Sequence, residues 1–410
     1  MSENRFCFII CTNSQLFFDE NVRYIKRLVI PDGYEVDVMG ITDAVSLTEG
    51  YNRGMRASNA KYKIYMHQDV FILYPYFLQS VLDIFESDKE IGMIGMVGAE
   101  KMSVDGVMWH TYRRGNLYES INEEFMDELS YDTYRYNFQD ELWRVEAIDG
   151  LMMITSKDIP WREDIFDAWD FYDVSQSFEM IRAGYKVVVP EQKLPWCLHD
   201  DGILNLWNYD KYRKICMQEY PEFFEINDDE AERTQEELSG KRTQNLKVVI
   251  VMNTKLNEEH EQAADLFKKA FGEKDYAVKI IDLAEDILEH KKADVIREEN
   301  PHLLVSFDMA GFEMRTTLNQ ASYGIMTFRM AHVLLKEYEE YEKWLDGIMN
   351  FSMFFYGMDK TVQQIHEKHP EIDHVQRIES CSVSEWMKEP KYITQLIDRI
   401  IADTEIELDY

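Results

Sequence analysis

The chain has 410 residues, 45% of them apolar, and a formal net charge of −33 from 77 acidic against 44 basic residues. That length exceeds what one hydrophobic core usually holds, so two domains are predicted, with enough apolar residues to fill both. The acidic balance, unbroken by any Lys/Arg-rich run, argues against nucleic acid or an anionic membrane surface as partner, and no apolar run reaches the ~18 residues of an integral membrane segment.

"RFCFIIC" opens the chain as a strand and "YEVDVMGI" is a second. Ser46 and Glu49 then fit a capping box for a helix whose Leu47, Tyr51 and Met55 share one face. "KYKIYMHQDV" is a third strand, and Pro75 starts a helix that buries Leu78, Val81, Leu82 and Phe85. Residues 227–245, "NDDEAERTQEELSGKRTQN", hold almost nothing to bury and read as an acidic linker between domains at 1–226 and 246–410. Beyond it come the strand "LKVVIVM" and a helix capped by Asn257, carrying Ala263, Leu266, Phe267, Ala270 and Phe271 and ending at Gly272. "YAVKIIDL", the helical "ILEHKKADVIREEN", "HLLVSFDMAG" and "FSMFFYG" continue the alternation. This pattern predicts a doubly wound, Rossmann-like α/β domain. Asp308 and Glu313, at the end of one of its strands, are expected to line a cleft.

Asp69, with His67 two residues before it, ends the third strand of the first domain. Ligands of open α/β sheets bind at the carboxyl ends of strands, although such an ending also fits an ordinary loop edge. A carboxylate there suits Mg²⁺ or Mn²⁺, and Mn²⁺ accepts imidazole as well.

Four pieces in order, "ITDAVSLTEGYNRGMRASNAKYKIYMHQDV", "VEAIDGLMMITSK", "WDFYDVSQSFEMIRAGYKVVVP" and "LPWCLHDDG", resemble nucleotide-sugar glycosyltransferases of the GT-A fold, family 2 type. The likeness is to the subgroup whose metal motif reads His-Gln-Asp, and it runs from about Phe6 to Gly202, roughly half of the chain. It implies an N-terminal GT-A domain with a mixed sheet, and a nucleotide-sugar donor. By this resemblance Asp43 contacts the nucleotide base, and Thr12, Asn52, Arg53, Asp149 and Gly150 lie along the donor. Asp69 holds Mn²⁺ or Mg²⁺ on the diphosphate, with His199 and His67 as further ligands, and Arg53 or Arg56 offsets phosphate charge. Asp173 matches the second acid of the family's Glu-Asp pair and is implied as the general base; Tyr172 stands where the Glu usually is.

Plainer readings exist for several of these residues. Gly50 and Gly54 fit a helix packed closely on the sheet, Asp149-Gly150 fits a turn in which glycine takes positive φ, and Asp173 with Gln176 fits a helix cap. Trp161 and Trp169 flank Asp173 and offer flat faces to a sugar ring.

The implied activity is metal-dependent transfer of a sugar, by family habit from a UDP donor, to a hydroxyl of a glycan, glycoprotein or other acceptor, with inversion if one base acts. A nucleotidyltransferase is disfavoured because "CTNSQLFFDE" lacks a Gly-rich basic loop. A non-catalytic sugar-binding, nucleotide-binding or scaffold protein on a decayed transferase domain is kept open by His67 and Tyr172, which depart from the usual acids. The second domain is similar to one half of a GT-B glycosyltransferase and is expected to bind acceptor or to associate, so a second copy in a homo-oligomer is an admissible partner. Cys7, Cys11, Cys197, Cys216 and Cys381 are odd in number and lack metal-finger spacing, and no apolar leader precedes Arg5, which predicts a reduced, cytoplasmic protein.

Overall fold

The fold is that of a computed structural model describing residues 2–111, 113–122, 125–130, 142–200, 208–224, 246–285, 292–299, 301–312, 314, 328–345 and 352–404. The chain divides into a unit of Met1–Glu225 and a unit of Ile226–Tyr410. The linker expected at 227–245 and Glu313 lie outside the described residues. No helix among the described residues is long and apolar enough to cross a membrane.

The N-terminal unit begins with β1 (Ser2–Cys11), α1 (Gln15–Ile25), β2 (Glu35–Ile41), α2 (Leu47–Ala57), β3 (Ala60–His67), β4 (Val70–Ile72), α3 (Phe77–Ser87), β5 (Ile91–Gly95) and β6 (Val97–Ala99). It continues with β7 (Arg113–Asn122), β8 (Phe125–Ser130), β9 (Leu142–Val145), β10 (Ala147–Ile148), β11 (Met152–Thr155), α4 (Tyr172–Arg182), β12 (Lys186–Pro190), β13 (Cys197–His199) and α5 (Tyr209–Glu219). Seven strands form a mixed sheet in the order β2-β1-β3-β11-β5-β12-β9. β1 runs parallel to β2 and β3, and β11 lies antiparallel between β3 and β5. A second sheet runs β10-β6-β7-β13-β4, with β8 on β7.

Local sequence explains the helix before the site. Ser46 Oγ accepts the Glu49 N–H at 3.1 Å, capping α2 as the Ser/Glu spacing predicts, and Leu47, Tyr51 and Met55 are buried. A Cβ added at Gly54 would stand 2.4 Å from Ile9 Cγ2, and one at Gly50 would stand 2.5 Å from Cys11 Sγ. The two glycines therefore let α2 lie directly on β1, as close packing requires.

"KYKIYMHQDV" does not run as one strand. The His67 N–H makes a last bond to Leu151 O at 3.0 Å, the chain turns at Gln68–Asp69, and β4 leaves into the second sheet. Asp69 O accepts the Asp200 N–H at 2.8 Å on that side. The motif thus sits where one strand passes from one sheet to the other.

β3 also buries a charge. Lys63 is fully buried, and its ammonium donates to Asp158 Oδ1 and to Ala60 O, both at 2.7 Å. Removing one partner of a buried pair leaves the other charge uncompensated, so Asp158→Ala is expected to lower stability by about 3 kcal/mol, at the low end for such pairs because Asp158 is partly exposed. An unchanged urea midpoint would show that solvent reaches Lys63.

In the C-terminal unit, β14 (Lys247–Met252), α6 (Glu259–Gly272), β15 (Ala277–Asp282), α7 (Lys292–Glu298), β16 (Leu303–Phe307) and β17 (Arg329–Val333) come first. α8 (Glu342–Leu345), β18 (Met353–Gly357), α9 (Asp359–Lys368), β19 (Val375–Arg377), α10 (Val383–Lys388) and α11 (Lys391–Thr404) follow. The strands are all parallel in the order β15-β14-β16-β17-β18-β19. This is a doubly wound sheet whose order starts 2-1-3, as in flavodoxin-like folds, where the dinucleotide-binding order would start 3-2-1.

Asp308 does not line a cleft. It is buried, its Oδ1 accepts the Leu335 N–H at 2.7 Å and the Tyr341 hydroxyl, and its Oδ2 lies 3.0 Å from His260 Nε2 and 3.2 Å from Asn257 Nδ2. Burial works to raise its pKa, but the bonds from His260 and Tyr341 outweigh it and hold the carboxyl below its ordinary range. With both oxygens engaged, Asp308 ties together the loops that follow β14, β16 and β17.

Candidate active site

The turn at Gln68–Asp69, directly after β3 ends at His67, arranges the His-Gln-Asp motif. His67 and Asp69 turn to one side, and Gln68 turns to the other. There Gln68 Oε1 accepts from Thr12 Oγ1 at 2.8 Å, from the Asn13 N–H at 3.1 Å and from the Ser14 N–H at 3.2 Å. Asn21 Nδ2 donates to Gln68 O at 2.6 Å. The middle residue of the motif thereby fastens the loop after β1 to the end of β3, and Thr12 is part of that fastening.

On the other side, His67, Asp69 and His199 present ligand atoms within 4.8 Å of one another. His67 Nδ1 lies 3.9 Å and His199 Nε2 lies 3.7 Å from the same oxygen, Asp69 Oδ1. β13 brings His199 into place by pairing antiparallel with β4, His199 opposite Val70. Asp69 Oδ1 is buried and has no hydrogen-bond partner among the described residues. Burial pushes the His199 imidazole down to about 4 against the opposing charge of Asp69, which favours the neutral ring that metal ligation needs. An orphaned carboxylate oxygen faced by two imidazole nitrogens is a donor set that fits a divalent ion. Two nitrogens among three donors favour Mn²⁺ over Mg²⁺.

Asp173 sits in the first turn of α4, whose cap position is held by Phe171 at φ 59°. It is therefore not the cap, and Gln176 does not complete a box, since its amide donates to Ile159 O at 2.9 Å. Instead, Asp173 Oδ2 accepts the Gly150 N–H and Oδ1 the Val174 N–H, at 2.9 and 2.8 Å. Asp149 lies beside it, its Oδ1 accepting the Leu151 N–H at 2.9 Å. Burial raises both carboxyls above their ordinary range, and the charge of Asp149 raises Asp173 further.

Gly150 is not among the glycines with positive φ. Its reason is close approach, because an added Cβ would stand 1.9 Å from the Tyr172 hydroxyl. Gly150→Ala must displace that ring and is expected to cost about 1–3 kcal/mol, as overpacking does. A chemical denaturation curve matching wild type would show that Tyr172 moves aside freely.

The other expected donor contacts divide. Asp43 is 76% exposed and pairs with Arg53 at 2.6 Å, and Arg53 also meets Glu49 at 3.3 Å. Arg56 lies 3.9 Å from Glu163. Asn52 is only 2% exposed, and its amide clamps the Trp161 backbone, Nδ2 to O at 2.9 Å and N to Oδ1 at 3.0 Å. Trp161 is 2% exposed and packs on Tyr51 and Tyr65, so it shows no face to a sugar, whereas Trp169 is 55% exposed. Tyr172, noted from sequence only as a departure, hydrogen-bonds His67 Nε2 through its hydroxyl. No local signal could have revealed this partnership, because the two residues are 105 positions apart.

Residues 7–220 match the model of a family described as glycosyltransferase like. No curated protein sequence matches the chain. Among solved structures, the chain is similar to the mannosyltransferase PcManGT from Pyrobaculum calidifontis in complex with GDP-Man and Mn²⁺, at 10% identity and a TM-score of 0.30, covering 48% of this chain and 57% of that one. It is also similar to the UTP-bound UGPase from Acinetobacter baumannii, at 10% identity and a TM-score of 0.29, covering 58% of this chain and 83% of that one. The chain thus spans little over half of the mannosyltransferase's length, and at these TM-scores neither likeness carries an argument about ligand.

Proposed function

The chain belongs to the glycosyltransferase like family, and on that premise we propose that its N-terminal unit transfers a sugar from a nucleoside-diphosphate donor, UDP by preference, to an acceptor hydroxyl with inversion. The observation that carries this reading is the orphaned Asp69 Oδ1 between His67 and His199, joined through Tyr172 to the turn that bears Asp173. A divalent ion bound by His67, Asp69 and His199 would offset the charge that grows on the leaving diphosphate.

The chain's own groups do the rest. Asp173 receives the acceptor's proton, with the Gly150 amide fixing one of its oxygens; burial and the neighbouring Asp149 make it a stronger base than an exposed carboxylate. Asp43, exposed in the loop after β2 and paired with Arg53 of α2, is the group we assign to the nucleotide base, with Thr12 beside the end of β2. Asn52 serves this site indirectly by holding the Trp161 segment. Trp169 offers the acceptor an apolar face.

The acceptor class is a glycan, glycoprotein or other hydroxyl compound. We assign the C-terminal unit as an accessory domain for acceptor binding or association; its strand-end carboxylates Asp282 and Asp308 are engaged within their own fold. A cytoplasmic setting agrees with five free, buried cysteines.

The test is thermal unfolding with UDP and GDP, each with Mn²⁺ or with a chelator. A nucleotide at 100 times its Kd adds about 2.7 kcal/mol, so UDP with Mn²⁺ should raise the melting temperature by several degrees and UDP with chelator should not. Absence of metal dependence for both nucleotides would remove the reading. Metal-dependent binding without turnover on any donor would leave a binding or scaffold protein instead.

A further inference from the structure

Two departures from the family pattern touch each other. His67 stands where the metal motif usually begins with Asp, and Tyr172 stands where the Glu of the Glu-Asp pair is usual; in the fold, the Tyr172 hydroxyl is hydrogen-bonded to His67 Nε2. The contact is built in. Tyr172 is 4% exposed, its ring is packed 6.0 Å from Tyr51 and 6.5 Å from Trp161 between centroids, and only a glycine at 150 leaves room for its hydroxyl. The residue before it, Phe171, holds a left-handed φ of 59°, a conformation that costs a non-glycine residue energy and that turns α4 into this position.

The chemistry of imidazole gives the contact a consequence. A neutral ring carries one proton, on one nitrogen or the other, and the hydrogen bond made by one nitrogen decides what the other can do. His67 Nδ1 is the nitrogen on the side of Asp69 Oδ1, 3.9 Å away. We propose that Tyr172 is a positioning residue of the cation centre: its oxygen accepts the His67 Nε2 proton, which leaves the Nδ1 lone pair facing Asp69 and the ion. Partners of this kind behind a ligating histidine are ordinarily a carboxylate, a backbone carbonyl or water; here it is a phenol. Because Tyr172 is followed directly by Asp173, the same turn that orients a ligand also carries the base.

The inference rests on the cation reading above, and two independent measurements separate them. Nitrogen-15 spectra of histidine-labelled full-length protein without metal report the His67 tautomer directly. Wild type should show the Nε2–H form, and Tyr172→Phe should show a mixture or the Nδ1–H form. Mn²⁺ titration followed by electron paramagnetic resonance should give a Kd about 10- to 100-fold weaker for Tyr172→Phe than for wild type, as loss of an outer partner typically does. Failure of wild type to bind Mn²⁺ would remove the cation reading, and the tautomer measurement would still decide the role of Tyr172. An Nδ1–H tautomer in wild type overturns the inference even if Tyr172→Phe does not fold, and so does unchanged Mn²⁺ affinity with an unchanged tautomer in a folded variant.

Discussion

Asp69→Ala is expected to abolish Mn²⁺-dependent nucleotide binding while leaving the apo protein as stable as wild type or slightly more so. The direction on stability follows from the orphaned oxygen. Asp69 Oδ1 is buried without a hydrogen-bond partner among the described residues, and such an atom carries an uncompensated desolvation cost of about 1–3 kcal/mol that alanine removes. Against that, alanine loses a few side-chain contacts at a strand end, so the two terms roughly cancel. The direction on binding follows from the donor set: with one of three ligands gone, and it the only negative one, the two imidazoles cannot hold a hard cation against water. Calorimetric titration of UDP with and without Mn²⁺ reads the first effect, and urea denaturation of the apo protein reads the second. A loss of several kcal/mol in the apo protein would make Asp69 a structural residue and transfer the question to His67.

Asp173→Asn is expected to lower sugar transfer by about 10²- to 10⁴-fold, the usual contribution of a positioned general base, because an amide cannot take the acceptor's proton. The substitution is not silent in the fold. Asp173 accepts from two backbone N–H groups, Gly150 and Val174, and asparagine has one oxygen to offer. Losing one bond costs about 1 kcal/mol, and a further 0.3–1 kcal/mol or so is lost because the charge sits near the N-terminus of α4. Removing a buried, repelled carboxylate from beside Asp149 works the other way, so the net change in stability is small against the change in rate. Donor binding should survive, since Asp43, Asp69 and His199 are untouched. Transfer at the wild-type rate would reject Asp173 as the base. Asp170, whose carboxyl burial raises to about 6, would then be the group to replace.

How far these residues could be read beforehand depended on the range of the interaction that holds each one. Relations within one helical turn or along one strand were legible: Ser46 capping Glu49, the buried face Leu47, Tyr51 and Met55, and the end of β3 at His67. Each needs only the backbone geometry of its own element. The parallel alternation of the C-terminal unit was legible for the same reason, although β17 and β19 were not, since short buried strands carry no period of their own.

What the sequence by itself determined is therefore part of the element set of each unit, the faces those helices bury, and the strand end at which His67 and Asp69 stand. Tertiary structure alone decided which groups meet there. The antiparallel insertion of β11 beside β3 brings Gly150 against Tyr172, the pairing of β4 with β13 delivers His199 to Asp69, and the rotation of α2 turns the Asn52 amide onto the Trp161 backbone. Sheet order and register across a hundred intervening residues set those meetings. No pattern within a few residues of either partner encodes them, which is why Tyr172 read as a missing acid and folds as the partner of a histidine.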